Sequence, residues 1–188
     1  MEAFCYAISM KLVIINGIPG TGKTTIAKPL ADQLGFPLIS KDTIKEFLFD
    51  TIGVGDREWS KMLGKASSEF LYSLADNLLS RGHSIVVESA FELEFAGPAI
   101  QKYIDKYKPE VYEIYCTTEK DIRRKRFEDR NKSGERHAGH FDHVNYLNEN
   151  EPEPLEKYSA IGLGKLMEID TTYQKVDINS LVKWIKSS

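Results

Sequence analysis

Eight consecutive residues, Gly17-Ile18-Pro19-Gly20-Thr21-Gly22-Lys23-Thr24, set three glycines beside a lysine and a hydroxyl. Glycine tolerates backbone conformations that turn successive N–H groups inward, and a helix starting at the end of such a turn adds its positive pole. The two together make a cradle for phosphate oxygens. Lys23 can reach the terminal phosphates as a point charge, Thr24 offers a hydroxyl to Mg²⁺, and Thr25 extends the set along the same helix end. The spacing G-x-x-x-x-G-K-[ST] also arises by chance as a merely structural glycine turn. Its position here, between an apolar run and a helical pattern, favours nucleotide binding.

Two carboxylates follow. Asp42 comes after one short predicted strand and Glu88 ends another, and open α/β sheets gather their ligand-binding groups at the C-terminal ends of strands. Phosphoryl transfer to an alcohol needs a base near the hydroxyl, and Mg²⁺ takes carboxylate help directly or through water. Asp42 is therefore read either as that base or as the N-cap of a helix over 43–50. A carboxylate at Glu88, closing an apolar strand, is costly to bury alone, which argues for metal or water ligation. Ser89 is a weaker candidate for the same shell.

Five of the seven arginines lie between positions 123 and 136. Arg123, Arg126 and Arg130 share one helical face by their spacing. Guanidinium groups clamp phosphate oxygens at two points and offset charge that develops during transfer. Alternatively this is a solvated helix face neutralised by Glu128 and Asp129; the cradle tips the balance toward a lid that closes over a nucleotide. Glu135-Arg136-His137-Ala138-Gly139-His140 would extend that lid. His137, His140 and His143 are also spaced for a metal, but no cysteine or carboxylate constellation supports one.

The elements that must position these groups are legible from periodicity. Continuous apolar runs predict strands over 11–16, 36–40, 84–88, 110–116 and 166–170, each short enough to be buried on both faces. Between them, helical patterns cover 24–34, 43–50, 59–79, 93–107, 119–131 and 177–186. Pro29 falls inside the first helix and predicts a bend there. Thr118 with Asp121 resembles a capping box for the basic helix. Residues 132–154 are polar and read as a loop. Strands alternating with helices predict an α/β sandwich about a mainly parallel, five-stranded sheet, as a single domain with a helical lid over about 119–150.

The chain has 188 residues, 41% of them hydrophobic and 28% charged, with a formal net charge of −3. That balance fits one globular domain and disfavours a nucleic-acid-coating or membrane-coating module. The two cysteines, Cys5 and Cys116, form no metal or disulfide pattern, and Cys116 reads as a core residue; a reducing, cytoplasmic setting is expected. No run approaches the roughly 20 apolar residues needed to cross a bilayer. Met1–Ser9 makes a poor signal peptide and is read as an N-terminal extension, with Met10 a second candidate start.

Taken in order, the cradle, Ser40-Lys41-Asp42-Thr43-Ile44-Lys45, Arg81-Gly82-His83-Ser84-Ile85-Val86-Val87-Glu88-Ser89 and Arg123–Arg130 resemble the P-loop kinase group. That group includes polynucleotide 5′-kinase domains, zeta-toxin-like kinases and chloramphenicol phosphotransferases. The likeness runs over roughly residues 11–172, with only the cradle highly specific. It implies a 2-3-1-4-5 strand order and ATP with Mg²⁺ as cofactors. It further implies Asp42 as general base, Lys45 against an acceptor's phosphate, and Arg123, Arg126 and Arg130 as lid arginines. Thr171, with Thr172, is implied beside the adenine. Glu88 departs from the group's usual aspartate and Lys45 from its frequent arginine, which bears on the acceptor rather than on ATP. The expected acceptor is a hydroxyl of a small molecule, nucleoside or nucleic-acid end, entering between helix 42–50 and the long helix after it. The competing reading is a nucleotide-binding switch or regulatory ATPase without a phosphoryl acceptor.

Overall fold

Four apolar segments are hydrophobic on both sides and pack side by side in one sheet. The fifth, over 165–170, expected to be buried on both faces, is instead an edge strand that is exposed or half-buried throughout. The computed structural model describes residues 9–133, 137–140, 156–173 and 175–187. Its strands are β1 Lys11–Asn16, β2 Leu38–Ser40, β3 Ile85–Glu88, β4 Glu110–Thr117 and β5 Lys165–Asp170. All neighbouring pairs are parallel, in the order β2-β3-β1-β4-β5. This is the strand order that the resemblance implied. Every residue of the central β1 is buried.

Successive strand side chains point to opposite faces, so the inner strands feed two cores. On one face Leu12, Ile14, Ile85 and Val87 pack against Leu71, Ala75 and Leu79 of α3 (Arg57–Leu79) and Ile100 and Tyr103 of α4 (Leu93–Tyr107). On the other, Val13, Ile15, Val86, Tyr112 and Ile114 meet Ile26 and Leu30 of α1 (Lys23–Leu34) and Leu181 and Ile185 of the closing α6 (Ile178–Lys186). Each fully buried aliphatic side chain contributes about 1.5–3 kcal/mol. The result is the expected three-layer α/β sandwich.

Element boundaries agree with the sequence reading to within two residues, and the one consequential difference is at α2. That helix spans Lys41–Ile52 and starts directly at the end of β2, with Ser40 at its N-cap. Asp42 thus lies inside the first turn, so the N-cap reading is corrected. The capping-box reading of Thr118 also changes: its hydroxyl pairs with that of Thr172 at 3.2 Å, and α5 begins at Lys120. α1 continues through Pro29 to Leu34, where Gly35 in the left-handed region donates to the carbonyls of Ala31 and Asp32. α3 is capped by Asp56, which accepts from the Trp59 amide at 2.9 Å. α5 (Lys120–Ser133) is followed by a short 3-10 turn, Ala138–His140. His143, Glu135 and Arg136, and most of the expected lid loop, lie outside the described residues, as does the segment before Ser9. Among the described residues no helix is long and apolar enough to cross a membrane.

Candidate active site

The cradle opens at the C-terminal end of β1 and closes into α1, so the chain reverses within Gly17–Gly22. Gly20 has φ +88°, and a Cβ there would come within 2.5 Å of Arg123 Cγ and 2.9 Å of Phe127 Cε2. A side chain at this position would push the loop off α5. Gly17, at φ +138°, is pressed on the Cys116 carbonyl. Thr21 is fully buried and ties the turn to itself, its hydroxyl donating to the Ile18 carbonyl at 2.9 Å. The Lys23 ammonium folds back, donating to the carbonyls of Gly17 at 2.8 Å and Ile18 at 3.0 Å. Burial pushes its pKa below the ordinary lysine value, while Glu88 and Asp42 pull the other way.

Those two carboxylates reach Lys23 because β2 and β3 end side by side. Ser40 and Glu88 are register partners across the β2–β3 pair. The Ser40 hydroxyl donates to Glu88 Oε2 at 2.5 Å, and Thr24 Oγ1 approaches Oε1 at 3.5 Å. Glu88 is 4% exposed, and desolvation raises its pKa against the opposing charge of Lys23. Asp42, one helical turn's start from Ser40, lies near enough that its charge acts on both Lys23 and Glu88. Thr24 and Glu88 therefore offer two hard oxygen donors on one side of the cradle, the kind of set that suits Mg²⁺ with the remaining positions left to water and phosphate.

A cavity of about 860 Å³ spreads over this arrangement. Pro19, Gly20, Gly22, Lys23, Thr24 and Thr25 form its floor; Asp42, Lys45 and Glu88 form one wall, and Arg126, Arg130 and Thr171 the other. Gly17, Ile18 and Thr21 do not line it: they stand behind the floor and hold its shape. Arg123 does not line it either. Its guanidinium stem is buried beneath Gly20, which makes it a support for the cradle. Arg126 reaches inward from α5, donating to Thr171 Oγ1 at 3.1 Å, to the Thr171 carbonyl at 2.5 Å and to the Gly20 carbonyl at 3.3 Å. Arg130 lies over the Phe127 ring at 4.8 Å. Thr171 is a junction: its hydroxyl donates toward the carbonyls of Thr21 at 2.9 Å and Thr117 at 3.1 Å, joining the sheet's end to the cradle.

Sequence reasoning passed over the residue that anchors the cradle to the rest of the fold. Asn16 is fully buried at the end of β1. Its Oδ1 accepts from the amides of Gly17 at 2.7 Å and Phe91 at 3.1 Å. Its amide nitrogen donates to Glu113 Oε1 at 3.1 Å and the Ser159 carbonyl at 3.2 Å. Glu113, in mid-strand, accepts further from the amides of Ile161 and Gly162, each at 2.8 Å. The available signal was a polar residue in each of two strands otherwise buried.

A second omission is the latch between α2, α3 and the turn after α5. Lys45 Nζ donates to Ser60 Oγ at 3.0 Å, and Ser60 donates to the Gly139 carbonyl at 2.6 Å. His140 pairs with Glu46 at 2.9 Å and His137 with Asp50 at 3.3 Å. Phe49 stacks on His137 and meets His140 edge-on, with ring centroids 5.0 and 5.7 Å away. Phe49 is thus a packing residue, whereas Phe47 is exposed and Trp59 donates to the Gly53 carbonyl. The two histidines serve as carboxylate partners; among the described residues no group of three metal-ligating side chains exists. Cys116 is buried and its thiol is pushed up to about 12, as suits a core residue.

The family model described as "AAA domain" matches residues 12–150. Among solved structures, a candidate kinase from Chloroflexus aurantiacus J-10-fl is 32% identical, with TM-score 0.83 over 95% of this chain and 98% of that one. The APS kinase of Mycobacterium tuberculosis, solved with AMPPNP and APS, shares the fold at 17% identity and TM-score 0.57, over 95% of this chain and 96% of that one. A curated cytidylate kinase of Ignicoccus hospitalis is 42% identical over 53 residues, 28% of this chain. That stretch spans about a third (31%) of the curated relative. With a five-stranded parallel sheet around a glycine cradle, the chain belongs to the AAA-domain family and has the fold of the P-loop kinases.

Proposed function

We propose that this protein is an ATP-dependent phosphotransferase that moves the γ-phosphoryl group of ATP to a hydroxyl of its acceptor. The observation that carries the reading is the convergence of Lys23, Asp42 and Glu88 in one cavity above the glycine cradle. The kinases among its relatives support phosphoryl transfer in general. The hydroxyl acceptor is our inference from Asp42.

In this reading the polyphosphate of ATP lies along the cradle, and Lys23 exchanges the carbonyls of Gly17 and Ile18 for phosphate oxygens. Thr24 and Glu88 would hold Mg²⁺, which when bound would offset phosphate charge. Asp42 accepts the acceptor's hydroxyl proton as the new O–P bond forms. The bond from the γ-phosphorus to the bridging oxygen breaks, and its electron pair leaves with ADP. Arg126 and Arg130, on the opposite wall from Asp42, stabilise the charge spread over the transferring group. Thr171 and Arg126 bound the base-side end of the cavity. The lid is α5 and the turn after it, latched to α2 and α3.

The test is ADP release from ATP with a panel of free alcohols, nucleosides and nucleoside monophosphates, cytidylate included. Hydroxyl-dependent release that is lost in Asp42→Asn supports the proposal. A phosphate acceptor is already deprotonated near neutral pH and needs no base, so release that survives Asp42→Asn with monophosphates alone would move the new bond to a phosphate oxygen. Slow hydrolysis indifferent to every acceptor would instead favour the regulatory ATPase.

A further inference from the structure

Three segments that border the main cavity are tied together through two buried polar side chains. The Asn16 carboxamide binds the Gly17 amide of the cradle, the Phe91 amide of the loop after β3 and the Ser159 carbonyl of the segment before β5. Its remaining N–H goes to Glu113. Two lone pairs and two N–H groups are all that a carboxamide has, and all four are used.

The third segment takes a path that needs such an anchor. β5 starts at the end of the sheet opposite the cradle, so the chain must descend across a sheet face to reach it. Ser159 lies at Asn16, and Ile161 and Gly162 lie at Glu113 in mid-strand. Gly164 rests on Val111, where a Cβ would come within 2.5 Å of the carbonyl oxygen. Residues 159–164 form neither helix nor strand. Glu113, 1% exposed, sets their height on the sheet by accepting both amides. An apolar side chain is easier to bury, but it would hold the segment without fixing its register.

That register places Tyr158, one residue before the Asn16 contact and part of the main cavity's wall. From the other side Lys157 pairs with Glu92 of the loop after β3 at 3.0 Å, and its ammonium lies 5.5 Å from the Tyr158 ring centroid. Tyr158 is thus tethered to the Asn16–Gly17 end of the cradle, whereas Thr171 and Arg126 bound the base-side end. Lys23, whose ammonium serves the last phosphates of a bound triphosphate, is folded onto Gly17 and Ile18 at the same end as Tyr158. Among the described residues no hydrogen-bond partner takes the Tyr158 hydroxyl. Burial raises its pKa above the ordinary phenol value, so it is a donor at neutral pH.

We infer that Tyr158 reads the terminal phosphate, its hydroxyl donating to a γ-phosphate oxygen of ATP, and that Glu113 is the positioning residue that sets it there. This rests on the nucleotide-binding half of the phosphotransferase reading and is indifferent to the acceptor.

Calorimetric titration of the full chain with ATP and with ADP, each with Mg²⁺, is the test, since only ATP carries the group in question. Tyr158→Phe should weaken ATP about tenfold, the loss of one charge-assisted hydrogen bond, and leave ADP unchanged. Glu113→Gln, of the same shape, should reproduce that selective loss. The double variant should be no worse than either single one, because both remove the same contact. A residue needed only for stability would lower the melting temperature and move ATP and ADP together. Should Glu113→Gln fail to fold, Lys157→Gln, at an exposed position, is expected to give a smaller loss confined to ATP. Affinities for ATP and ADP that shift equally in Tyr158→Phe, or not at all, overturn the proposal, as do additive losses in the double variant. If the unaltered chain binds neither nucleotide, the phosphotransferase reading falls and takes this inference with it. If it binds both yet transfers phosphate to no acceptor, that reading falls alone and the ATP-selective loss still stands.

Discussion

Thr24 Oγ1 stands 3.5 Å from Glu88 Oε1, bridging the first turn of α1 and the end of β3. These residues are 64 positions apart, and the β1–β3 pairing sets them side by side. With Ser40 holding the other carboxylate oxygen, Glu88 has one oxygen committed and one aimed at the cradle. Replacing it by glutamine should therefore weaken the added thermal protection that Mg²⁺ gives in the presence of ATP. Melting with ATP, with and without excess chelator, checks this; an unchanged Mg²⁺ increment would remove Glu88 from the metal set.

The same burial makes a pH prediction. Desolvation holds the Glu88 carboxyl above the usual range, so the folded chain keeps this proton to higher pH than the unfolded chain does. Folding stability from this group is then lost as pH rises from the ordinary carboxylate value through the raised one, and is level beyond it. Glu88→Gln is neutral throughout and should flatten that part of the profile. Melting temperatures across this range, without Mg²⁺ or nucleotide, would run parallel in the two proteins if the idea is wrong.

Lys23→Met removes the one buried ammonium in the cradle. Turnover should drop by about 10²–10³-fold, the usual consequence of losing a preorganised electrostatic contact to the transferring group. The fold should hold, because burial already opposes the charge there. Steady-state ADP release and a melting curve read the two parts.

Asp42→Asn keeps the shape of the first turn of α2 and removes a proton acceptor. A loss of about 10²–10⁴-fold in transfer to alcohols, with ATP affinity nearly unchanged, is the expected signature of a general base. Equal losses in affinity and turnover would make Asp42 a nucleotide-binding group instead.

Asn16→Ala strips four hydrogen bonds from a fully buried position. Leaving the amides of Gly17 and Phe91 without their acceptor should cost about 2–4 kcal/mol of unfolding free energy, measured by urea denaturation, while Glu113 keeps the amides of Ile161 and Gly162. A cost under about 0.5 kcal/mol, the scale of a surface change, would mean that the network is dispensable.

Much of this molecule was open to reading in one dimension. A continuous apolar run can only be a buried strand or helix segment, and the glycines, Lys23 and Thr24 occupy fixed offsets from the strand that precedes them. Strand and helix periods, and the phosphate cradle, are therefore local facts. The neighbours Ser40 and Glu88, or Asn16 and Glu113, are made by sheet pairing across 48 and 97 residues, and nothing in local spacing encodes such contacts. Likewise helical spacing placed three arginines on one face, but only packing under Gly20 separated Arg123, a support, from Arg126 and Arg130, which reach the cavity. Period and motif are set along the backbone; which polar groups share a buried space depends on register and on how two helices lie across one sheet, and tertiary structure alone decides that.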